Sequence, residues 1–199
     1  MMSKTHIAIG TSCALLVCIA NPSPANACLA FAGGALGGVM PDVDVISKDK
    51  TGDAMQGQII TVLIVAFTII IDKLFNYGAY QLLGREKNIL LGAIILIALY
   101  VFGVTRVHRG FTHSILSLII YSIPITLIYE PILKYFMIGY FSHLLIDLFN
   151  KKGIQLFFPL KFKLCLGLCY ADGLGNKLLM VLGLIATIIL LTKFFVFYV

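Results

Sequence analysis

Apolar residues run along this chain in long blocks, and the polar residues that separate them gather at the block ends. A helix that crosses a bilayer needs about 20 mostly apolar residues. Ala54–Ile71, Asn88–Thr105 and Phe111–Tyr129 contain no Asp, Glu, Lys or Arg and are rich in Ile, Leu and Val. Each reads as a membrane span. Pro131–Phe149 carries Lys134 near one end and His143 and Asp147 near the other, where long polar stems reach the interface. It reads as a further span, and Leu178–Thr192, continued by Phe194–Val199 after Lys193, as a C-terminal one. Thr5–Pro41 is also free of Asp, Glu, Lys and Arg, but Asn21, Pro22, Ser23, Pro24 and Asn26 break it in the middle. Two helices in a hairpin are expected there. The second arm contains Gly33, Gly34, Gly37 and Gly38, two overlapping pairs at the four-residue spacing that lets helix backbones approach closely in a membrane. A phosphate-cradling loop is a poorer reading, because no Lys-Ser or Lys-Thr follows the glycines.

Lys4, an apolar run to Ala20 and then Ala25-Asn26-Ala27 before Cys28 resemble a secretory leader with its cleavage site. Apolar character resumes at once from Leu29, and His6 lies where a functional role is expected, so residues 1–27 are expected to be retained. A mature N-terminus at Cys28 would contradict this.

Composition agrees with lipid as the solvent. Of 199 residues 60% are hydrophobic and only 12% charged, against roughly 25% charged in an average soluble domain. A soluble enzyme is therefore not expected. The paired spans return the chain repeatedly to the face on which the N-terminus starts. That face collects Lys4, Lys48, Lys50, Arg106, Arg109, Lys151, Lys152, Lys161, Lys163 and Lys177, whereas Lys73, Arg85, Lys87, Lys134 and Lys193 fall toward the other. By the positive-inside rule the first face is cytoplasmic. The net charge of +6 is then an orientation and headgroup signal rather than a nucleic-acid one, and no nucleic-acid partner is expected.

All four histidines fall at the cytoplasmic ends of expected helices: His6, His108, His113 and His143. Asp42 and Asp44 follow the hairpin, and Asp147 is four residues beyond His143, on the same helix face. Individually these are ordinary caps, turn formers or ion-pair partners, Asp147 with Lys151 for example. Together they bring seven groups of metal-ligand type to one membrane face from four chain segments, and ionisable groups at membrane depth mark functional sites. Mixed imidazole and carboxylate donors suit zinc first, then manganese or ferrous iron. Seven candidates exceed the four ligands of a structural zinc, which favours a catalytic site. His6, Asp42, His108, His113, His143 and Asp147 are the expected ligands. Asp44 is expected as ligand, orienting residue or general base, and Arg109 as the group that neutralises an anionic substrate. Thr112, Ser114 and Ser142 orient ligands or cap helices. Cys13, Cys18 and Cys28 read as small hydrophobes, and the Cys165, Cys169 spacing is a weak metal signal.

The stretch Thr5-His6, then Gly38-Val39-Met40-Pro41-Asp42-Val43-Asp44, then His108-Arg109-Gly110-Phe111-Thr112-His113-Ser114, then Gly139 to Asp147 followed by Gly153 and Phe157-Phe158-Pro159-Leu160 resembles the YdjM-like family. These are bacterial and archaeal inner-membrane proteins described as predicted metal-dependent hydrolases, some under SOS control. The resemblance covers Thr5 to about Leu160 and implies that the same seven His and Asp residues are the family's polar signature. It also implies a more distant similarity to the zinc-dependent phospholipase C and P1 nuclease group, whose His-x-x-x-Asp or Glu pairs His143 and Asp147 resemble. That link points to phosphoester hydrolysis by analogy only.

The expectation is thus an all-α, polytopic integral membrane protein with six or seven membrane helices, forming one domain over residues 1–199 with its C-terminal helix at 178–199. Its expected activity is metal-dependent hydrolysis of a phosphoester, with membrane lipids as partners or substrate, at the cytoplasmic face of the inner membrane. The alternative is a non-enzymatic membrane protein: a divalent-metal or proton transporter, or a regulatory partner.

Overall fold

The computed structural model describes residues 1–45, 52–80, 86–171 and 173–197. Lys48, Lys50 and Arg85, used in the charge count, lie outside these residues. The chain is all-helical, with α1 (Ser3–Cys18), α2 (Pro24–Val39), α3 (Asp53–Phe75), α4 (Glu86–Val104), α5 (Ile115–Tyr129), α6 (Leu133–Leu148) and α7 (Leu174–Phe197). Short 3-10 turns cover Met40–Asp44, Phe111–His113 and Glu130–Ile132. The break expected between α1 and α2 has a local cause. Ser23 caps α2 by accepting from the Asn26 N–H at 3.1 Å, and Pro24 occupies the first turn, where its missing N–H costs nothing.

Three helical stretches among the described residues are long and apolar enough to cross a membrane: Asp53–Phe75, Ile115–Leu148 and Leu174–Val196, with Asn88–Val104 a shorter apolar helix. This corrects the expected six or seven. The reason is length and burial. α1 and α2 have 16 residues each, about 24 Å at 1.5 Å per residue, short of a hydrocarbon core of roughly 30 Å. Most of their side chains are covered by protein rather than facing outward. Ile115–Leu148 is long and apolar only as a pair of helices: it folds back at Glu130–Ile132, with the Ser117 and Tyr140 hydroxyls 2.8 Å apart across it, and its arms α5 and α6, with 15 and 16 residues, are individually no longer than α1 and α2.

α2 is the axis of the molecule, packed between α1 and α6 through its glycines. A Cβ at Gly34 would lie 2.5 Å from the Gly10 carbonyl and one at Gly38 2.6 Å from the His6 carbonyl. On the other side a Cβ at Gly33 would lie 2.7 Å from Cβ of Tyr135, and one at Gly37 would collide with the Phe136 carbonyl. The glycine pairs therefore serve close helix contact on two faces, as their spacing predicts. Tyr121, Tyr135, Phe136 and Tyr140 fill the space around this contact. α7 docks on α1 through a Thr11–Thr187 hydroxyl pair at 3.0 Å, the kind of interhelical bond worth about 1 kcal/mol in a membrane. α3 and α7 expose rows of large apolar side chains, Val62, Leu63, Leu182 and Ile188 among them, as lipid-facing helices do. The N-terminus of α1, the C-termini of α2 and α6 and the entrance to α5 meet at one end of the bundle.

Candidate metal centre

Each polar side chain at that end is delivered by an element with a local reason to stop there. His6 lies in the first turns of α1. Asp42 and Asp44 sit in the 3-10 turn that Pro41 opens after α2. His113 ends the short turn Phe111–His113, and Ser114 caps α5 through a reciprocal box with Ser117. His143 and Asp147 occupy the last turns of α6, one helical turn apart. Tyr140, one turn before His143, donates to the Thr112 carbonyl at 2.6 Å, tying the two histidine-bearing segments together.

The result is a closed constellation. His6, Asp44, His113 and His143 are completely buried, and Asp42 and Asp147 nearly so. The His113 and His143 Nε2 atoms are 3.3 Å apart. Asp42 Oδ1 lies 3.6 Å from His113 Nε2 and 3.7 Å from His143 Nε2. Asp147 reaches the same point from the other side, with Oδ2 3.4 Å from His113 Nε2 and Oδ1 3.4 Å from His6 Nε2. Asp147 Oδ1 also accepts from the Met1 amino group at 2.5 Å. The His6 and His143 rings stack at 3.6 Å. The groups with metal-binding geometry are His6, His143, Asp147; Asp42, His113, His143; and Asp44, His108, His113. They share residues, so they form one connected centre.

The second ring nitrogens decide which atoms point inward. His143 Nδ1 lies 2.7 Å from the Gly38 carbonyl. It must donate there, leaving Nε2 as an acceptor toward His113. His113 Nδ1 faces Thr112 Oγ1 at 3.1 Å and Asp44 Oδ2 at 3.4 Å. Fixing the outer N–H of an imidazole on a carbonyl or carboxylate is how ligating histidines are held. Asp44 is the hub of this outer layer. It lies 2.9 Å from His108 Nδ1 and accepts from Thr112 Oγ1 at 2.5 Å and from the Arg109 N–H at 3.2 Å. His108 stands at the rim, its side chain 36% exposed, with Nε2 accepting from Arg109 Nε at 3.2 Å.

Burial alone would raise the Asp42 and Asp44 carboxyls, but the imidazoles facing them outweigh it. His143, His113 and His6 act on Asp42, and His113 and His108 on Asp44, holding both well below the usual carboxylate range. Burial opposes charge on His113, and Asp44, Asp147 and Asp42 overcome that, holding it well above an ordinary imidazole.

The donor set fits a divalent metal. Both ring nitrogens of His6 are buried without a hydrogen-bond partner, a costly state unless a ligand satisfies one. Asp147 meets the Met1 amino group and Arg109, while Asp42 and Asp44 face the His113 imidazole. Mixed nitrogen and oxygen donors of this kind suit first-row transition metals. Arg109 itself has a left-handed backbone, φ 65°, held by Asp44 on its N–H and by the Gln155 N–H on its carbonyl at 3.0 Å. Its Nη2 lies 3.9 Å from Asp147 Oδ2, and its Nη1 is buried and unpartnered. A buried cation with a free donor beside this centre is placed for an anion.

All eight residues expected at the site are therefore brought together: His6, Asp42, His113, His143 and Asp147 innermost, Asp44, His108 and Arg109 around them. Sequence reasoning missed Tyr140, the Gly38 carbonyl and Ser3, whose hydroxyl lies 3.1 Å from Asp42 Oδ2. The Tyr140 signal was its position one turn before His143. The Gly38 carbonyl left no signal, since a backbone acceptor has no residue type. Cys165 and Cys169 join no metal-type group among the described residues, and all five cysteines are free thiols.

Fold and site together define an all-helical membrane protein with a buried histidine and aspartate centre at one end of its helices. The chain belongs to the family described as YdjM inner membrane protein, whose profile matches residues 1–199. No curated protein and no solved structure matches it.

Proposed function

We propose that the protein is a membrane-bound, metal-dependent hydrolase that cleaves a phosphoester at the cytoplasmic face of the inner membrane, on a lipid or another membrane-associated substrate. The observation that carries this reading is the convergence of His6, Asp42, His113, His143 and Asp147 on one buried point, with the free Nη1 of Arg109 beside it. These side chains would hold a divalent metal, zinc first on donor chemistry, which would supply Lewis-acid polarisation of a phosphoryl oxygen and a lowered pKa for water. Asp44 fixes the orientation of His113 and His108, Gly38 fixes that of His143, and Arg109 binds the substrate's negative charge. His108, about a third exposed and hydrogen bonded to Asp44, is placed to link the centre with bulk water.

The cluster sits at helix ends rather than midway along the helices, whereas a transporter places its ionisable groups near the bilayer midplane. The test is hydrolysis of bis(p-nitrophenyl) phosphate and of phospholipid by the zinc-loaded protein in nanodiscs. Metal-dependent turnover that falls to background in the His143→Ala, Asp147→Ala double variant is expected. Zinc uptake into sealed vesicles without hydrolysis would replace the enzyme reading with transport.

A further inference from the structure

The segment between α6 and α7 has a composition that the centre does not use. Residues 150–171 contain Lys151, Lys152, Lys161 and Lys163 and no Asp or Glu, and all four lysines are exposed. Leu160, Phe162, Leu166, Leu168 and Tyr170 stand out beside them, each more than half exposed. So dense a group of exposed large apolar side chains marks a docking face. The segment is nonetheless fastened to the protein. Ile154 and Leu164 pair through two backbone bonds of 2.9 Å, the Leu168 and Cys169 N–H groups bond the Phe149 carbonyl, and the Leu156 carbonyl accepts from the Ile115 N–H at the start of α5 at 3.0 Å. Phe158 packs edge-on against Phe111. The apolar tips thus project from a braced base.

We infer that residues 157–170 dock on the anionic lipid headgroups of the bilayer that the protein spans, with Leu160, Phe162, Leu166 and Leu168 entering the acyl boundary and Lys161 and Lys163 on the phosphates. Continuity decides the occupant. The segment leaves α6 and leads into α7, both within membrane-crossing stretches, so it lies at the level where chain re-enters lipid. Its charge is net positive, four lysines against Asp172 next to α7 in sequence, which a phosphate layer complements. Lysine stems can lie along apolar surface while their ammonium groups stay in the headgroups. Because Gln155 bonds the Arg109 carbonyl, the docked segment anchors the backbone of a residue in the buried centre to the lipid surface. The inference stands whether or not the centre is hydrolytic.

The chain has no tryptophan, so Phe162→Trp and Leu168→Trp each give a single reporter in the full-length protein. The probes are nanodiscs of phosphatidylcholine with and without phosphatidylglycerol, prepared with lipids brominated near the upper acyl chain. Both reporters should emit to the blue and be quenched by brominated lipid, more so with phosphatidylglycerol. Lys161→Gln with Lys163→Gln should lower the docked-to-free ratio in phosphatidylglycerol discs by about fivefold per lysine, and added salt should do the same. Val62→Trp, on the exposed face of α3, is the positive control. Solvent-like, unquenched emission at 162 and 168 while position 62 is quenched overturns the inference. So does shielding that appears only when two copies share a disc or when a soluble protein is added.

Discussion

Asp44 faces His108 and His113 and accepts from Thr112 and the Arg109 backbone. Asp44→Asn keeps the volume and removes the charge that fixes both imidazoles. Loss of such a partner lowers metal affinity about 10- to 100-fold, and isothermal titration with zinc should show that drop while the helical circular dichroism is unchanged. Arg109 makes the opposite case. Its left-handed backbone costs a non-glycine residue about 1 kcal/mol, and a buried guanidinium with an unpartnered donor costs more. Arg109→Gly relieves that backbone cost but also removes the cation beside Asp147, so it should abolish turnover while the protein stays helical by circular dichroism. A variant that is both folded and active would remove Arg109 from the substrate site. The seven His and Asp residues were legible because so few polar groups exist in this chain, and any that recur at helix ends stand out. Tyr140 and Ser3 were not, since hydroxyls of their kind occur throughout the apolar blocks and only the fold shows which of them meet a carboxylate or carbonyl.

At the scale of elements, the arrangement of ligands depends on how closely α2 approaches its two neighbours. α2 carries the Gly38 carbonyl that holds His143 and leads into Asp42, while α1 and α6 carry His6, His143 and Asp147. Gly37→Val sets a branched side chain against the Phe136 carbonyl and the Tyr140 N–H. Backbone cannot yield there as a flexible side chain would, so destabilisation of about 1–3 kcal/mol or more is expected. Metal content should fall with it, although no ligand is changed. Gly173→Ala, where an added Cβ meets only ordinary contacts of 3.4 Å or more, should leave metal content unaltered. The hairpin of α1 and α2 and its glycine ridges were readable from Pro22, Pro24 and the four-residue spacing. The number of spans was not. Hydropathy scores an apolar helix alike whether lipid or protein covers it, and α1 and α2 are short helices sheathed mainly by α3, α6 and α7.

For the whole molecule, the charge pattern of the centre makes stability depend on pH and on metal together. Asp42 and Asp44, held below the ordinary carboxylate value, contribute stability that is present above about pH 4 and lost as pH falls through their folded values. His113, held above its ordinary value, contributes stability that is complete below about pH 6.5 and lost as pH rises through its folded value. A metal needs the imidazole unprotonated. In chelator the melting temperature should therefore decline as pH rises from 6 to 8, and the increase produced by zinc should grow over the same interval. A zinc effect independent of pH would separate His113 from the metal.

We propose above all that the buried histidines and aspartates of this inner-membrane protein hold a metal ion. The most direct test is elemental analysis of the purified wild-type protein beside the His143→Ala, Asp147→Ala double variant, both monodisperse and equally helical. Stoichiometric zinc, manganese or iron in the wild type and its loss from the variant is the predicted result. Equal metal content in the two would contradict the account.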